Sequence, residues 1–262
     1  MSTSRPSRAY RIGTTSFIIP ADILPNVTYL GPKVDDVELL LFESEDISNL
    51  PNRETIDELT RLGRRWDLTY TVHLPLDIAL GSPDDTRRHA SIDQCRRIFD
   101  LTADLDPFGY IVHFNGSVGR DIPEDDRNRW QEALSDSVRA LLKTGIDPTL
   151  LCVETLSYPF EWVFDIVRDQ ALSVCLDIGH LLLGHRSVPR HFERYLDHCR
   201  VIHLHGVNGD RDHVALSYFP PDLLAFIIAR LRFEPEKERV LTLEIFNEAD
   251  FKASMAVLER YK

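Results

Sequence analysis

Residues 201 to 213 read VIHLHGVNGDRDH and hold three histidines and two aspartates. The first half is an apolar alternating run; the second is a polar loop punctuated by Gly206 and Gly209. Side chains on a strand repeat every two residues, so His203 and His205 share a face. Imidazoles and carboxylates gathered this closely are the donor set of a divalent cation. The earlier ring, His203, is expected to point to the metal. Gly206 and Gly209 favour a tight excursion that returns Asp210, Asp212 and His213 over the site.

The same residue types end other apolar runs. Glu154 closes LLCVE, Asp177 closes SVCLD and Glu244 follows VLTL, with no Lys or Arg inside those runs to pair with them. An unpaired buried carboxylate costs several kcal/mol, and one bound cation relieves all three. His73 in TYTVHL, His113 in GYIVHF and Glu43 in VELLLFE occupy matching positions. His180 lies three residues beyond Asp177, so a short turn brings two donors to the same or adjacent ions. His185, further along, is expected at the surface.

These residues need a scaffold that collects run ends in one place. Eight apolar runs recur: 11–17, 37–43, 69–74, 109–114, 150–155, 173–178, 201–205 and 240–246. Each is continuous rather than half-polar, as parallel strands buried on both faces are. Amphipathic stretches lie between them. In EDDRNRWQEALSDSVRALLKTG, Trp130, Leu134, Val138, Leu141 and Leu142 share a face, with acids in the first turn and Gly145 as a stop. SIDQCRRIFDLTADL, PDLLAFIIARL and PNRETIDELTRLGRRW supply further helices. Eight βα units in a chain of 262 residues predict one α/β domain, a single (β/α)8 TIM barrel over 1–262 with 1–9 as a flexible tail. A doubly wound sheet would carry a Gly-rich turn after its first strand, and GTTSFIIP is no such turn. A barrel puts its chemistry at the C-terminal strand ends, where these donors fall.

Bulk properties narrow the partners. A formal charge of −12 disfavours a nucleic-acid backbone and favours cations. No window reaches the roughly 18 apolar residues of a membrane span, and no secretory signal is visible. The four cysteines form no CxxC pair, so they read as reduced, buried residues of a cytoplasmic protein. Oligomeric state is not legible.

The set of run-end donors resembles the xylose-isomerase-like barrel superfamily, particularly its endonuclease IV-like branch of phosphodiester hydrolases. That resemblance implies two or three divalent ions held by His73, His113, Glu154, Asp177, His180, His203, Asp210, His213 and Glu244. The loop reads DRDH, so Asp212 stands where the branch has a histidine, and the third ion and the choice between Asp210 and Asp212 stay open. Zinc, manganese, cobalt and iron all suit such mixed donors. Two segments, GTTSFIIPADILPNVTYLGPKVDDVELLLFES and YTVHLPLDIALG, are similar to cobamide-remodelling phosphodiesterases. That likeness implies a corrinoid substrate whose nucleotide-loop phosphodiester is cut, with Glu154, Asp177 and Glu244 as catalytic carboxylates. A corrinoid is large and partly apolar, so SFIIP, SYPF and SYFPP are expected to line a wide mouth. Phe17, Tyr158 and Tyr218, with Glu43 and Arg211, are the candidate substrate contacts, and Arg120 is a second candidate for the phosphate oxygens. A sugar isomerase or epimerase of the same superfamily, using Glu154, Asp177, His203 and Glu244 around one ion, is the alternative. A DNA-repair endonuclease and a non-catalytic metal-binding or corrinoid-carrying protein are further rivals.

Overall fold

The computed structural model describes residues 10–44, 47–115 and 122–261. Eight parallel strands close into a barrel: β1 (Arg11–Thr15), β2 (Asp36–Leu40), β3 (Thr69–His73), β4 (Gly109–Val112), β5 (Leu151–Glu154), β6 (Ser173–Asp177), β7 (Cys199–Leu204) and, eighth in the ring, β10 (Val240–Leu243). Between the last two, β8 (Gly206–Asn208) and β9 (Arg211–Val214) form an antiparallel hairpin outside the ring. β10 pairs with both β7 and β1 and so seals the cylinder. The fold expected from the alternating runs is the fold observed, a (β/α)8 barrel. The strands end one to three residues earlier than the apolar runs, because the chain bends away once its last ladder bond is made.

Nine α-helices are found among the described residues: α1 (Ile23–Leu30), α2 (Arg53–Trp66), α3 (Asp85–Thr102), α4 (Glu124–Leu142), α5 (Glu161–Asp169), α6 (Ile178–Leu183), α7 (Val188–Tyr195), α8 (Pro221–Phe233) and α9 (Glu248–Glu259). Their starts follow local chemistry. The Asn52 side chain accepts the Thr55 N–H at α2, and Glu124, Asp125 and Asp126 sit in the first turn of α4. Trp130, Leu134, Val138 and Leu141 form the buried face of α4, as their spacing predicts. Leu142 is only partly buried.

The core has two parts. One lies between the barrel and its helices. The other fills the lumen with Phe108, Ile111, Cys152, Cys175, Val201 and Val240. All four cysteines are buried and free, which matches their sequence reading. Strand alternation also turns polar residues inward. Asp36, Glu38, Thr71 and Thr242 are fully buried, and they lie along the same strands as the run-end donors. No helix among the described residues is long and apolar enough to cross a membrane. The expected tail 1–9 and Arg120 lie outside the described residues.

Candidate metal centre

Six barrel strands deliver donors to one end of the cylinder. Glu154 is the last residue of β5; its Oε2 lies 2.8 Å from His113 Nε2 and 3.6 Å from His73 Nε2, while its Oε1 lies 3.4 Å from His180 Nδ1. Asp177 ends β6 and caps α6, accepting the His180 N–H at 2.6 Å. This cap explains the three-residue spacing of Asp177 and His180: one carboxylate starts the helix and fixes the ring one turn later. His203 Nδ1 stands 3.3 Å from Glu244 Oε2, 3.7 Å from Asp177 Oδ2 and 3.8 Å from Glu154 Oε2. His213, on β9, places Nε2 3.4 Å from Glu244.

These atoms fall into adjoining sets whose members lie within 4.8 Å of one another: His73, His113 and Glu154; Glu154, Asp177, His203 and Glu244; and His180, His205 and His213. A further set contains Cys175 with Glu154 and His203. Burial pushes the Cys175 thiol well up, so it serves as lumen packing rather than as a thiolate donor. Burial alone would also raise the Glu154 carboxyl, yet the imidazole charge and hydrogen bond of His113, with the His180 and His73 rings close by, hold it well below the usual carboxylate range. Glu244 is likewise held low against its burial by His203 and His213. Burial disfavours a charged His180, but Asp177 and Glu154 bring it up to about 10.

Divalent ions fit these residues. Asp177 Oδ2, Glu244 Oε2, His203 Nδ1, His180 Nδ1 and His205 Nε2 are buried atoms without a hydrogen-bond partner. Each such orphan costs about 1–3 kcal/mol, and all five belong to the sets just described. His73 is pre-set for the same purpose: Nδ1 lies 2.8 Å from the Leu74 carbonyl, leaving Nε2 for the centre.

Of the residues singled out by sequence, His73, His113, Glu154, Asp177, His180, His203, His213 and Glu244 are brought together. Others are not. Asp210 is exposed at the hairpin turn beside Gly209, whose φ of 61° makes that turn, and it joins no set. Asp212 is the carboxylate that approaches, 3.0 Å from His213 Nδ1. Glu43 turns away after β2 and pairs with Arg97 at 2.5 Å in a surface cleft with Asp77 and Arg87. Tyr158 is buried against Trp130, with ring centroids 5.1 Å apart. Phe17 is half-buried against Phe42, Tyr218 is exposed, and Arg211 is exposed on the hairpin. His185 is at the surface, as expected.

One residue, Glu38, escaped the sequence reading, and His205, read there only as sharing the His203 face, has a defined place of its own. Glu38, on β2, is fully buried and lies 2.9 Å from His203 Nε2. Its signal was a carboxylate inside an apolar run, the same signal that singled out Glu154. His205 is also fully buried: Nδ1 accepts the His213 N–H at 2.9 Å, and Nε2 faces Asp177 Oδ1 at 3.4 Å. It ties the hairpin to β6.

The sequence profile described as xylose isomerase-like TIM barrel matches residues 33–261. The chain belongs to that family. No curated protein sequence matches it. Among solved structures, this xylose isomerase-like barrel is similar to a D-tagatose 3-epimerase-like protein, with a TM-score of 0.72, 20% identity, and 96% of each chain covered. Endonuclease IV from Thermus thermophilus gives a TM-score of 0.70 and 18% identity, covering 95% of this chain and 99% of that one. A 3-keto-D-glucoside 4-epimerase from E. coli gives 0.70 and 16%, covering 95% and 97%. At these identities the likeness is one of fold.

Proposed function

We propose that this chain is a metal-dependent phosphodiesterase that opens the nucleotide-loop phosphodiester of cobamides. The observation that carries hydrolysis is the number of donors: three adjoining sets offer more imidazole and carboxylate atoms than one ion can use. His73, His113 and Glu154 would hold one ion, and Glu154, Asp177, His203 and Glu244 a second. His180 and His213 reach toward a third. Divalent ions supply water activation near neutral pH and charge neutralisation on a phosphodiester. The chain's own part is positional. Glu154 faces two sets with its two oxygens, and Asp177 is locked by the α6 cap.

The mouth supports a large, partly apolar substrate. Of six exposed large hydrophobic residues among those described, five (Phe42, Ile47, Leu76, Tyr218 and Phe246) follow strands at the C-terminal face. Apolar side chains gathered at a polar site mark a ligand surface. The corrinoid itself rests on the likeness of the 13–44 and 70–81 segments to cobamide-remodelling enzymes.

Metal-loaded protein incubated with adenosylcobalamin and resolved by chromatography is expected to release a nucleotide-side fragment. No product with any divalent ion refutes the proposal. The sugar epimerase reading is favoured by the Glu154, Asp177, His203 and Glu244 set and by the two epimerases of similar fold. Elemental analysis separates the two: two or three ions per chain for the hydrolase, one for the epimerase.

A further inference from the structure

His203 has two ring nitrogens in two different settings. Nε2 points down the lumen to Glu38 Oε2 at 2.9 Å, a normal hydrogen bond. Nδ1 points up and meets three carboxylate oxygens at 3.3, 3.7 and 3.8 Å, and makes no hydrogen bond. The ring cannot exchange these settings freely. It is fully buried and stacks on His73 with centroids 6.2 Å apart. We propose that Glu38 is the positioning residue of the metal centre: it retains the proton on His203 Nε2, so that Nδ1 is the nitrogen presented to the cation. An imidazole donates one nitrogen to a metal and keeps its proton on the other, and the partner of that proton fixes both tautomer and ring orientation. Glu38 touches neither the mouth nor a substrate, being fully enclosed on β2. Its role is exerted through His203.

This inference rests on the metal reading of the site, and the test separates the two. Protein labelled with 15N-histidine and loaded with 113Cd is observed by NMR, with His203 assigned by comparison with His203→Asn. The expected spectrum shows one-bond cadmium coupling to Nδ1 of His203 and a retained proton on Nε2. Two variants accompany it. Glu38→Gln keeps an amide oxygen that accepts the same N–H and is expected to hold metal within a few-fold of the parent. Glu38→Leu removes the acceptor and is expected to weaken binding by about 10–100-fold, the usual effect of losing such a partner. Cadmium coupling at Nε2, or Glu38→Leu with unchanged affinity, overturns the role given to Glu38 while leaving the metal centre standing. A parent chain that binds no cation overturns both. The spectrum needs only the parent fold, so a Glu38→Leu chain that fails to fold leaves the proposal open to refutation by the coupling itself.

Discussion

Gly179 gives a prediction whose sign depends on one neighbour. It lies in α6, where alanine suits a helix better than glycine by about 1 kcal/mol. A Cβ added there would sit 1.9 Å from His205 Cε1, 2.2 Å from Nε2 and 2.4 Å from Nδ1. The His205 ring has nowhere to go. It is fully buried and accepts the His213 N–H at 2.9 Å. Overpacking costs about 1–3 kcal/mol, and loss of the buried His213 bond adds about 1–3 kcal/mol. Against the helix gain, Gly179→Ala is expected to destabilise by about 3 kcal/mol. At about 2 °C per kcal/mol for a chain of this size, the melting temperature should fall by about 6 °C. In a His205→Ala background the obstacle is gone, and Gly179→Ala should be neutral or stabilising by up to about 1 kcal/mol. The double-mutant cycle, followed by thermal melts of all four proteins, should therefore give a coupling of at least about 2 kcal/mol. Additive effects would refute the argument that Gly179 exists to seat His205.

Glu154→Gln and Glu244→Gln are each expected to lower turnover of the active substrate by more than about 100-fold, with unchanged circular dichroism; near-parent rates would remove that residue from the chemistry. His203→Ala should lower bound metal per chain, measured by elemental analysis, more than His205→Ala does, since His203 faces three carboxylates and His205 braces Asp177 and the hairpin. Burial, opposed by Thr69 and reinforced by the charge of Glu38, pushes Asp36 up to about 7 from 3.8. Its carboxyl thus keeps a proton in the fold that the unfolded chain releases, so its contribution is fully favourable below about pH 4 and is lost as pH climbs to about 7. The shift corresponds to at most about 4 kcal/mol, and Asp36→Asn should flatten the fall in chemical-denaturation stability between about pH 4 and 7; an unchanged slope would show that Asp36 does not titrate this way.

Much of the barrel was readable because parallel strands covered on both faces leave long apolar runs, and because charged residues ending such runs are anomalous. Expectation and structure part where side-chain direction matters more than composition. In VELLLFE the end residue Glu43 looked equivalent to Glu154, but β2 stops at Leu40 and alternation turns Glu38 inward instead. The DRDH loop offered two aspartates, and only the fold of the β8–β9 hairpin shows that its turn sends Asp210 to solvent. Tyr158 sat in a segment that had to be near the mouth, yet its ring packs on Trp130, a contact 28 residues away in sequence that no local pattern reveals.

The position of β10 has a consequence for folding. Val240 pairs with Arg11 on one side and Val201 on the other, so the two joined strands are separated by most of the chain. Until β10 docks, the sheet has two bare edges, each a template for pairing with another chain. Glu244 emerges just after the strand that joins them. The same few residues thus end the exposure of both edges and complete the set of candidate donors, so the proposed metal centre exists as a whole only once the cylinder has shut.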